Sequence, residues 1–207
     1  MSAARRRKIF LITGGACTAG FAAVLILVLT GSISGIDSAV YGVVAPAINS
    51  ASTFMMEKLS FLASLPFLCC AVLALLLLLK SRRKLGIPTC IAMVSCVAIN
   101  QLVKFLVERK RPDILVLTTE NGFSFPSGHS MGALVFYGLL IYFALRYLKK
   151  RNRRVLLCFT CTAMILLIGI SRIYLGVHFF SDVLGGFLLG GTILFGFLFF
   201  YERKLPV

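Results

Sequence analysis

The sequence predicts an all-α polytopic membrane protein, built as a bundle of six transmembrane helices. Of its 207 residues, 59% are hydrophobic and only 14% are charged, whereas soluble domains carry about 25% charged residues. The apolar residues form long uncharged runs, and only a helix satisfies the backbone hydrogen bonds of such a run within a bilayer. The chain length favours a single domain over residues 1–207.

Six apolar runs approach or reach the length needed to cross a hydrocarbon core about 30 Å thick. The predicted spans are Ile9–Thr30, Leu59–Leu79, Leu85–Val107, Met131–Leu148, Val155–Ile170 and Val183–Tyr201. The fourth and fifth are short, so we expect their helices to extend into the flanking connections. The first follows a basic N-terminus, as a secretory signal does, but it is longer than a signal core and no A-x-A site closes it. We therefore expect a retained span.

Basic residues predict the orientation of these spans. Sixteen of the 22 Lys and Arg residues lie in four clusters that flank apolar runs, at 5–8, 80–84, 146–154 and 203–204. Because cytoplasmic loops are enriched in Lys and Arg, both termini are predicted to be cytoplasmic. Charges used in this way leave no soluble basic face, so a nucleic-acid-binding role is excluded. The lipid bilayer is the partner expected from this pattern, and the oligomeric state is not predicted.

The three remaining connections, at 31–58, 108–130 and 171–182, are predicted to face outward. In the first, apolar residues between Ile36 and Ile48 recur at helical spacing, which fits an interfacial helix, although an irregular loop remains an alternative. The seven cysteines lie in apolar runs, and Cys158-x-x-Cys161 has redox spacing. Apolar surroundings favour packing over reactivity for these two thiols.

Three polar segments lie at the outer ends of the spans: KFLVERKRP at 104–112, FSFPSGHS at 123–130 and SRIYLGVHFFSD at 171–182. Taken singly, their residues read as interfacial cations and helix caps. Together they bring three cations, an aspartate and both histidines of the chain to one membrane face. Cations at the mouth of a bundle suit an anionic ligand, and arginine suits phosphate. Backbone N–H groups at the helix start near Ser127 suit an anion as well.

The histidines predict phosphoryl chemistry at this face. His178 and Asp182 are four residues apart, so on a continuing helix they would share a face and the carboxylate could hold one ring nitrogen. The other nitrogen would then be a nucleophile of fixed tautomer. His129, from another span, could protonate a leaving oxygen. Among nearby acidic residues, Glu108 and Asp113 are expected to pair with neighbouring Arg109, Lys110 or Arg111.

The motifs K-x6-RP, PSGH and SR-x5-H-x3-D, in this order, resemble the three signature motifs of the type-2 phosphatidic acid phosphatase family of membrane lipid phosphatases. Their context resembles bacterial members of the phosphatidylglycerophosphatase B type, which implies a location in a bacterial cell membrane. The resemblance implies a metal-independent mechanism without a cofactor, in which His178 forms a phosphohistidine, Asp182 orients it and His129 protonates the leaving group. The phosphate would be bound by Lys104, Arg111, Ser127, Gly128, His129 and Arg172.

An outward-facing site places the substrate phosphate at headgroup depth, with its lipid tail between spans. Undecaprenyl diphosphate, phosphatidylglycerophosphate and phosphatidic acid are the candidate substrates, and no residue separates a diphosphate from a monophosphate. The main alternative is a membrane transporter or channel with an anion-binding site, which would explain the cations but not the spacing of His178 and Asp182. A catalytically idle binding protein and vanadate-dependent peroxidase chemistry are weaker alternatives.

Overall fold

A computed structural model describes residues 2–78, 82–113 and 115–204 of the chain. The predicted end of the second span at Leu79 and one member of the second basic cluster, Lys80, lie outside these residues. All regular elements in the described part are helical, which confirms the all-α prediction. The α-helices are α1 (Ala3–Leu29), α2 (Ser34–Val44), α3 (Ser50–Phe61), α4 (Leu65–Leu77), α5 (Ile87–Val107), α6 (Gly128–Tyr147), α7 (Arg151–Tyr174) and α8 (Phe180–Lys204).

Five helical segments of the described chain are long and apolar enough to cross a membrane: α1, α5 with the π-helical turn Arg82–Gly86 before it, α6, α7 and α8. There is a sixth span if α3 and α4 are counted as one. The chain is bent by 43° at the break between these two helices. The second predicted span is therefore not one straight helix. Ser64 caps α4 by accepting a hydrogen bond from the Phe67 N–H, and this new start interrupts the helix. The predicted multi-pass membrane bundle is confirmed.

The first outer connection is helical. Residues 34–44 form α2, as the apolar spacing favoured, and a short 3-10 turn leads from it to α3. The buried Asp37 of α2 accepts hydrogen bonds from the backbone N–H and the hydroxyl of Ser181, at 2.8 and 2.7 Å. These bonds fix α2 against the first turn of α8.

The last helix, α8, lies at the centre of the bundle, with α1 packed along it and α6 packed between α7 and α8. Gly186 allows a close approach of α8 to α6, because a Cβ atom there would come within 2.7 Å of the Ser127 carbonyl oxygen. All seven cysteines are free thiols, including Cys158 and Cys161. The glycine contact brings the start of α6, where the second polar segment lies, against the start of α8.

The basic clusters gather at the opposite end of the bundle. Arg6 of α1 forms a two-point ion pair with the buried Glu202 of α8, at 3.0 and 2.8 Å, and Tyr142 donates to the same carboxylate at 2.7 Å. The Tyr201 hydroxyl donates to the backbone carbonyl of Lys84, at 3.2 Å. The two ends of the described chain and the loop before α5 therefore share one end of the molecule.

Candidate active site

The third polar segment spans the break between α7 and α8. Because α7 ends at Tyr174 and α8 begins at Phe180, His178 lies in the connection, and no continuous helix runs through His178 and Asp182. The pair still meets, with 3.4 Å between His178 Nδ1 and Asp182 Oδ2, because that carboxylate oxygen also accepts from the Phe179 N–H at 2.9 Å. A capping interaction at the start of α8 therefore brings the imidazole and the carboxylate together.

The His178 ring is buried, and its two nitrogens face different partners. Arg111 Nη1 lies 3.3 Å from Nε2 on the side opposite Asp182. A tautomer with the proton on Nδ1 satisfies both contacts, since Nδ1 then donates to Asp182 and Nε2 accepts from Arg111. Burial, together with the charges of Arg172 and Arg111, lowers the pKa of His178 to about 4, although Asp182 acts in the opposite direction. The ring is therefore neutral at pH 7, with a lone pair on Nε2.

The three predicted cations surround this ring at different depths. Lys104 Nζ, in the last turn of α5, donates to the Phe123 carbonyl. Arg111 donates to the carbonyls of Asn121, Gly122 and Val177, at 2.9, 3.0 and 3.0 Å, and burial lowers its pKa. Backbone carbonyls thus hold both side chains in place without neutralising their charge.

Arg172 is the most deeply buried of the cations, with 2% of the residue exposed. It donates to the hydroxyl of Ser60 and to Glu120 Oε1. Its Nε is a buried donor without an acceptor among the described residues. Since an unpaired buried donor is costly, this N–H is suited to an acceptor oxygen supplied by a ligand.

The second polar segment forms the start of α6. Ser127 is the N-cap residue and accepts from the N–H and hydroxyl of Ser130, at 3.4 and 3.0 Å, while its own N–H donates to the Asp182 carbonyl at 2.9 Å. His129 lies in the first turn, with its Nδ1 4.0 Å from Glu120 Oε1. The helix start therefore presents His129 at the site while Ser127 is used in the cap.

A cavity of about 220 Å³ joins these groups. Five of the predicted site residues line it: Lys104, Arg111, Gly128, His129 and His178. Ser127, Arg172 and Asp182 lie behind this lining. An apolar groove of about 460 Å³ between α4 and α5 shares four lining residues with the cavity, namely Leu65, Leu68, Met93 and Val97. The polar cavity thus adjoins an apolar slot between two helices.

The sequence motifs did not reveal three charged residues at the site: Arg109, Asp37 and Glu120. The expected pairing of Arg109 with Glu108 or Asp113 is wrong. Arg109 instead donates to Asp182 Oδ1 and Asp37 Oδ2, at 2.6 and 2.8 Å. Arg111 forms no ion pair with those neighbours either, since it donates to backbone carbonyls. Both errors arise because Glu108, in the left-handed conformation with φ 50°, ends α5 and turns the following residues back toward α8.

Within the described residues, no three His, Cys, Asp or Glu side chains form a group that could hold a metal ion. Metal independence remains a prediction.

Comparison with known families decides the affiliation of the chain. The family model of the PAP2 superfamily matches residues 85–205, more than half of the sequence and all three motifs. The chain belongs to the PAP2 superfamily. The resemblance predicted from the three motifs is thereby confirmed.

Two curated relatives match part of this PAP2 chain. It is 45% identical over 98 residues to phosphatidylglycerophosphatase B of Bacillus subtilis strain 168, which covers 47% of this chain and 48% of the relative. It is 32% identical over 130 residues to an undecaprenyl-diphosphatase of Sulfolobus acidocaldarius, which covers 60% and 59%. The chain therefore matches less than two thirds of the length of these relatives.

Solved structures extend the similarity to nearly the whole fold. The crystal structure of a transmembrane PAP2-type phosphatidylglycerolphosphate phosphatase from Bacillus subtilis superposes with a TM-score of 0.85 at 28% identity, over 94% of this chain and 98% of that one. LpxE of Aquifex aeolicus superposes with a TM-score of 0.62 at 24% identity, over 78% and 93%, and shares the fold. The PAP2 chain is thus a multi-pass integral membrane protein of known architecture.

Proposed function

We propose that this chain is an integral-membrane lipid phosphatase, which hydrolyses phosphate from lipid phosphates or diphosphates through a phosphohistidine on His178. The observation that carries the proposal is the cavity in which His178 Nε2 lies with Lys104, Arg111 and His129, next to an apolar groove. A lipid phosphate needs both halves of this arrangement. The headgroup fits a cationic cavity, and the tail fits an apolar slot between helices.

In the first step, the Nε2 lone pair of His178 attacks phosphorus. The bond from phosphorus to the leaving oxygen breaks, and that oxygen takes a proton from His129. Asp182 keeps the proton of His178 on Nδ1 and stabilises the positive charge that the ring acquires. A bound phosphate dianion favours the protonated form of His129 before the reaction.

In the second step, the phosphohistidine is hydrolysed. His129, now neutral, takes a proton from water as the water oxygen attacks phosphorus. The P–N bond breaks, its electron pair returns to Nε2 of His178, and inorganic phosphate leaves. Lys104, Arg111 and Arg172 stabilise the charge on the phosphoryl oxygens in both steps, while the backbone N–H groups of Gly128 and His129 offer further donors at the start of α6.

The substrate class we propose covers phosphatidylglycerophosphate, undecaprenyl diphosphate and phosphatidic acid. The names of the two curated relatives support the first two. We propose that the site faces the outside of a bacterial cell membrane, because the basic residues near Arg6, Lys84 and Glu202 lie at the other end of the bundle and cytoplasmic ends are enriched in such residues.

The test is phosphate release from a panel of lipid phosphates and diphosphates by the purified protein in detergent. We expect release by the wild type that persists with a chelator and is abolished in His178→Ala. A substrate carrying radiolabelled phosphorus should leave an acid-labile, base-stable label on the wild type and none on His178→Ala. Anion binding without turnover would instead favour a transporter or channel, and activity lost with the chelator would refute the metal-free mechanism.

A further inference from the structure

We propose that Arg109 and Asp37 are positioning residues, which hold the Asp182 carboxylate aimed at the His178 ring. The inference rests on the proposed phosphatase function. Arg109 lies within the six-residue gap of the first motif, and Asp37 lies on α2, far from all three motifs. The chemistry assigned to the motifs gives neither residue a role.

Arg109 and His178 contact different oxygens of the Asp182 carboxylate. Arg109 Nη1 donates to Asp182 Oδ1 at 2.6 Å, whereas Oδ2 accepts from His178 Nδ1 and from the Phe179 N–H. The guanidinium carbon also lies 4.3 Å from the centroid of the Phe179 ring, and Nη1 donates to the Ser181 hydroxyl at 2.7 Å. The guanidinium is thus fixed on several sides, and it directs one carboxylate oxygen toward the histidine.

Asp37 completes the arrangement from a different helix. Its Oδ2 accepts from Arg109 Nη2 at 2.8 Å and from the Ser181 hydroxyl, and its Oδ1 accepts from the Ser181 N–H. Asp37 and Asp182 are both buried, and the Arg109 side chain is 18% exposed. One guanidinium therefore serves two buried carboxylates, and the three groups together carry one negative charge.

This local charge bears directly on the nucleophile. Asp182 fixes the tautomer of His178 and stabilises its positive form through its negative charge, so the charges that contact Asp182 alter this effect. Arg109 offsets part of the negative charge of Asp182, and Asp37 in turn offsets part of the positive charge of Arg109. The cluster thus sets the charge that His178 experiences.

Other groups act on His178 as well, and they remain in place in the variants described below. The charged and titratable groups facing it are Asp182 on α8, Arg111 and Glu120 in the connection before α6, Arg172 on α7, His129 on α6 and Lys104 on α5. Asp37 and Arg109 are the additional pair that reaches His178 through Asp182.

The test compares Arg109→Gln, Asp37→Asn and the double variant by the pH profile of kcat/KM. The substrate is a short-chain phosphatidic acid in detergent micelles. Arg109→Gln raises the local negative charge, so we expect kcat to fall about 10- to 100-fold with KM little changed, a loss typical for residues that orient a reactive group. Its acid limb should move up by about one pH unit, because negative charge favours the protonated ring.

Asp37→Asn should move the acid limb in the opposite direction, because it removes a negative charge. The double variant restores the original local charge, so its limb should return toward the wild-type position with part of the activity. Lys110→Gln is the matched control, since it removes a neighbouring cation whose side chain is exposed, and it should behave as the wild type. If Arg109→Gln alone does not fold, the acid limbs of Asp37→Asn and of the double variant can still be compared with that of the wild type.

A cluster that only anchors α2 would lower activity without moving the limb, and the double variant would then be no better than either single one. That result would overturn the inference. So would an acid limb of the kcat/KM profile that lies at the same pH in Arg109→Gln and in Lys110→Gln. These outcomes are separate from failure of the proposed function. In that case the wild type would release no phosphate, or the His178→Ala variant would remain active.

Discussion

The unpaired N–H of Arg172 leads to the sharpest prediction about phosphate binding. Arg172→Lys keeps the positive charge next to Glu120 but removes the planar group whose Nε is buried without an acceptor among the described residues. If that N–H donates to a phosphoryl oxygen, the variant loses a charge-assisted hydrogen bond worth about 1.5–3 kcal/mol. At about 1.4 kcal/mol for each factor of ten, binding of phosphate should weaken by roughly 10- to 150-fold.

The assay is competitive inhibition by inorganic phosphate, with kcat/KM measured in parallel. Arg146→Lys is the matched control, because Arg146 is exposed near the far end of α6. It should leave the inhibition constant unchanged. Wild-type inhibition by phosphate in Arg172→Lys would refute the reasoning, because it would show that the unpaired N–H does not contact the ligand.

Three further predictions concern the histidines and the opposite end of the bundle. The pKa of His178 is lowered to about 4, so its neutral form persists down to that pH, and kcat/KM corrected for substrate titration should fall as the pH drops through about 4. In Arg111→Gln the fall should occur at higher pH, because a charge that lowers the pKa of His178 is removed. His129→Gln should slow an alkyl phosphate about 10²- to 10⁴-fold but an aryl phosphate, a better leaving group, far less. Arg6→Ala leaves Glu202 buried without its guanidinium and should lower the free energy of unfolding by about 3 kcal/mol in denaturant titrations, whereas the exposed Arg5→Ala should not.

Features encoded by local pattern could be predicted from the sequence. Uncharged runs located the spans, and the expected extension of the short ones occurs, since α6 starts at Gly128 and α7 covers Arg151–Tyr174. These extensions place His129 in the first turn of α6 and Arg172 in the last turns of α7. The chemistry-bearing residues were found because three motifs with fixed spacing occur in order, a signal that needs no tertiary information.

Features that depend on tertiary contact could not be predicted. The break between α3 and α4 is an exception, because Ser64 as N-cap with Pro66 in the first turn of α4 is a local signal of a helix start, which the continuous apolar stretch concealed. The pairing of Arg109 with Asp37 joins residues 72 positions apart on separate elements. Local reasoning assigned Arg109 to its acidic neighbours, because it could not show that α5 ends in a left-handed residue that turns the chain toward α8.

The positions of the missed residues explain how the site can hold so much charge beside a membrane. Arg111 is held by backbone carbonyls, Arg172 by Glu120 and Ser60, and Arg109 by two carboxylates. Positive charge without a counter-ion is thus left mainly on Lys104 and Arg111, which line the cavity, whereas the charge behind the cavity is paired. Because unpaired buried charge is costly, this division lets the protein keep its excess positive charge where a phosphate can neutralise it. The motif residues supply the charge for binding, and residues outside the motif chemistry supply the pairing that makes the arrangement stable.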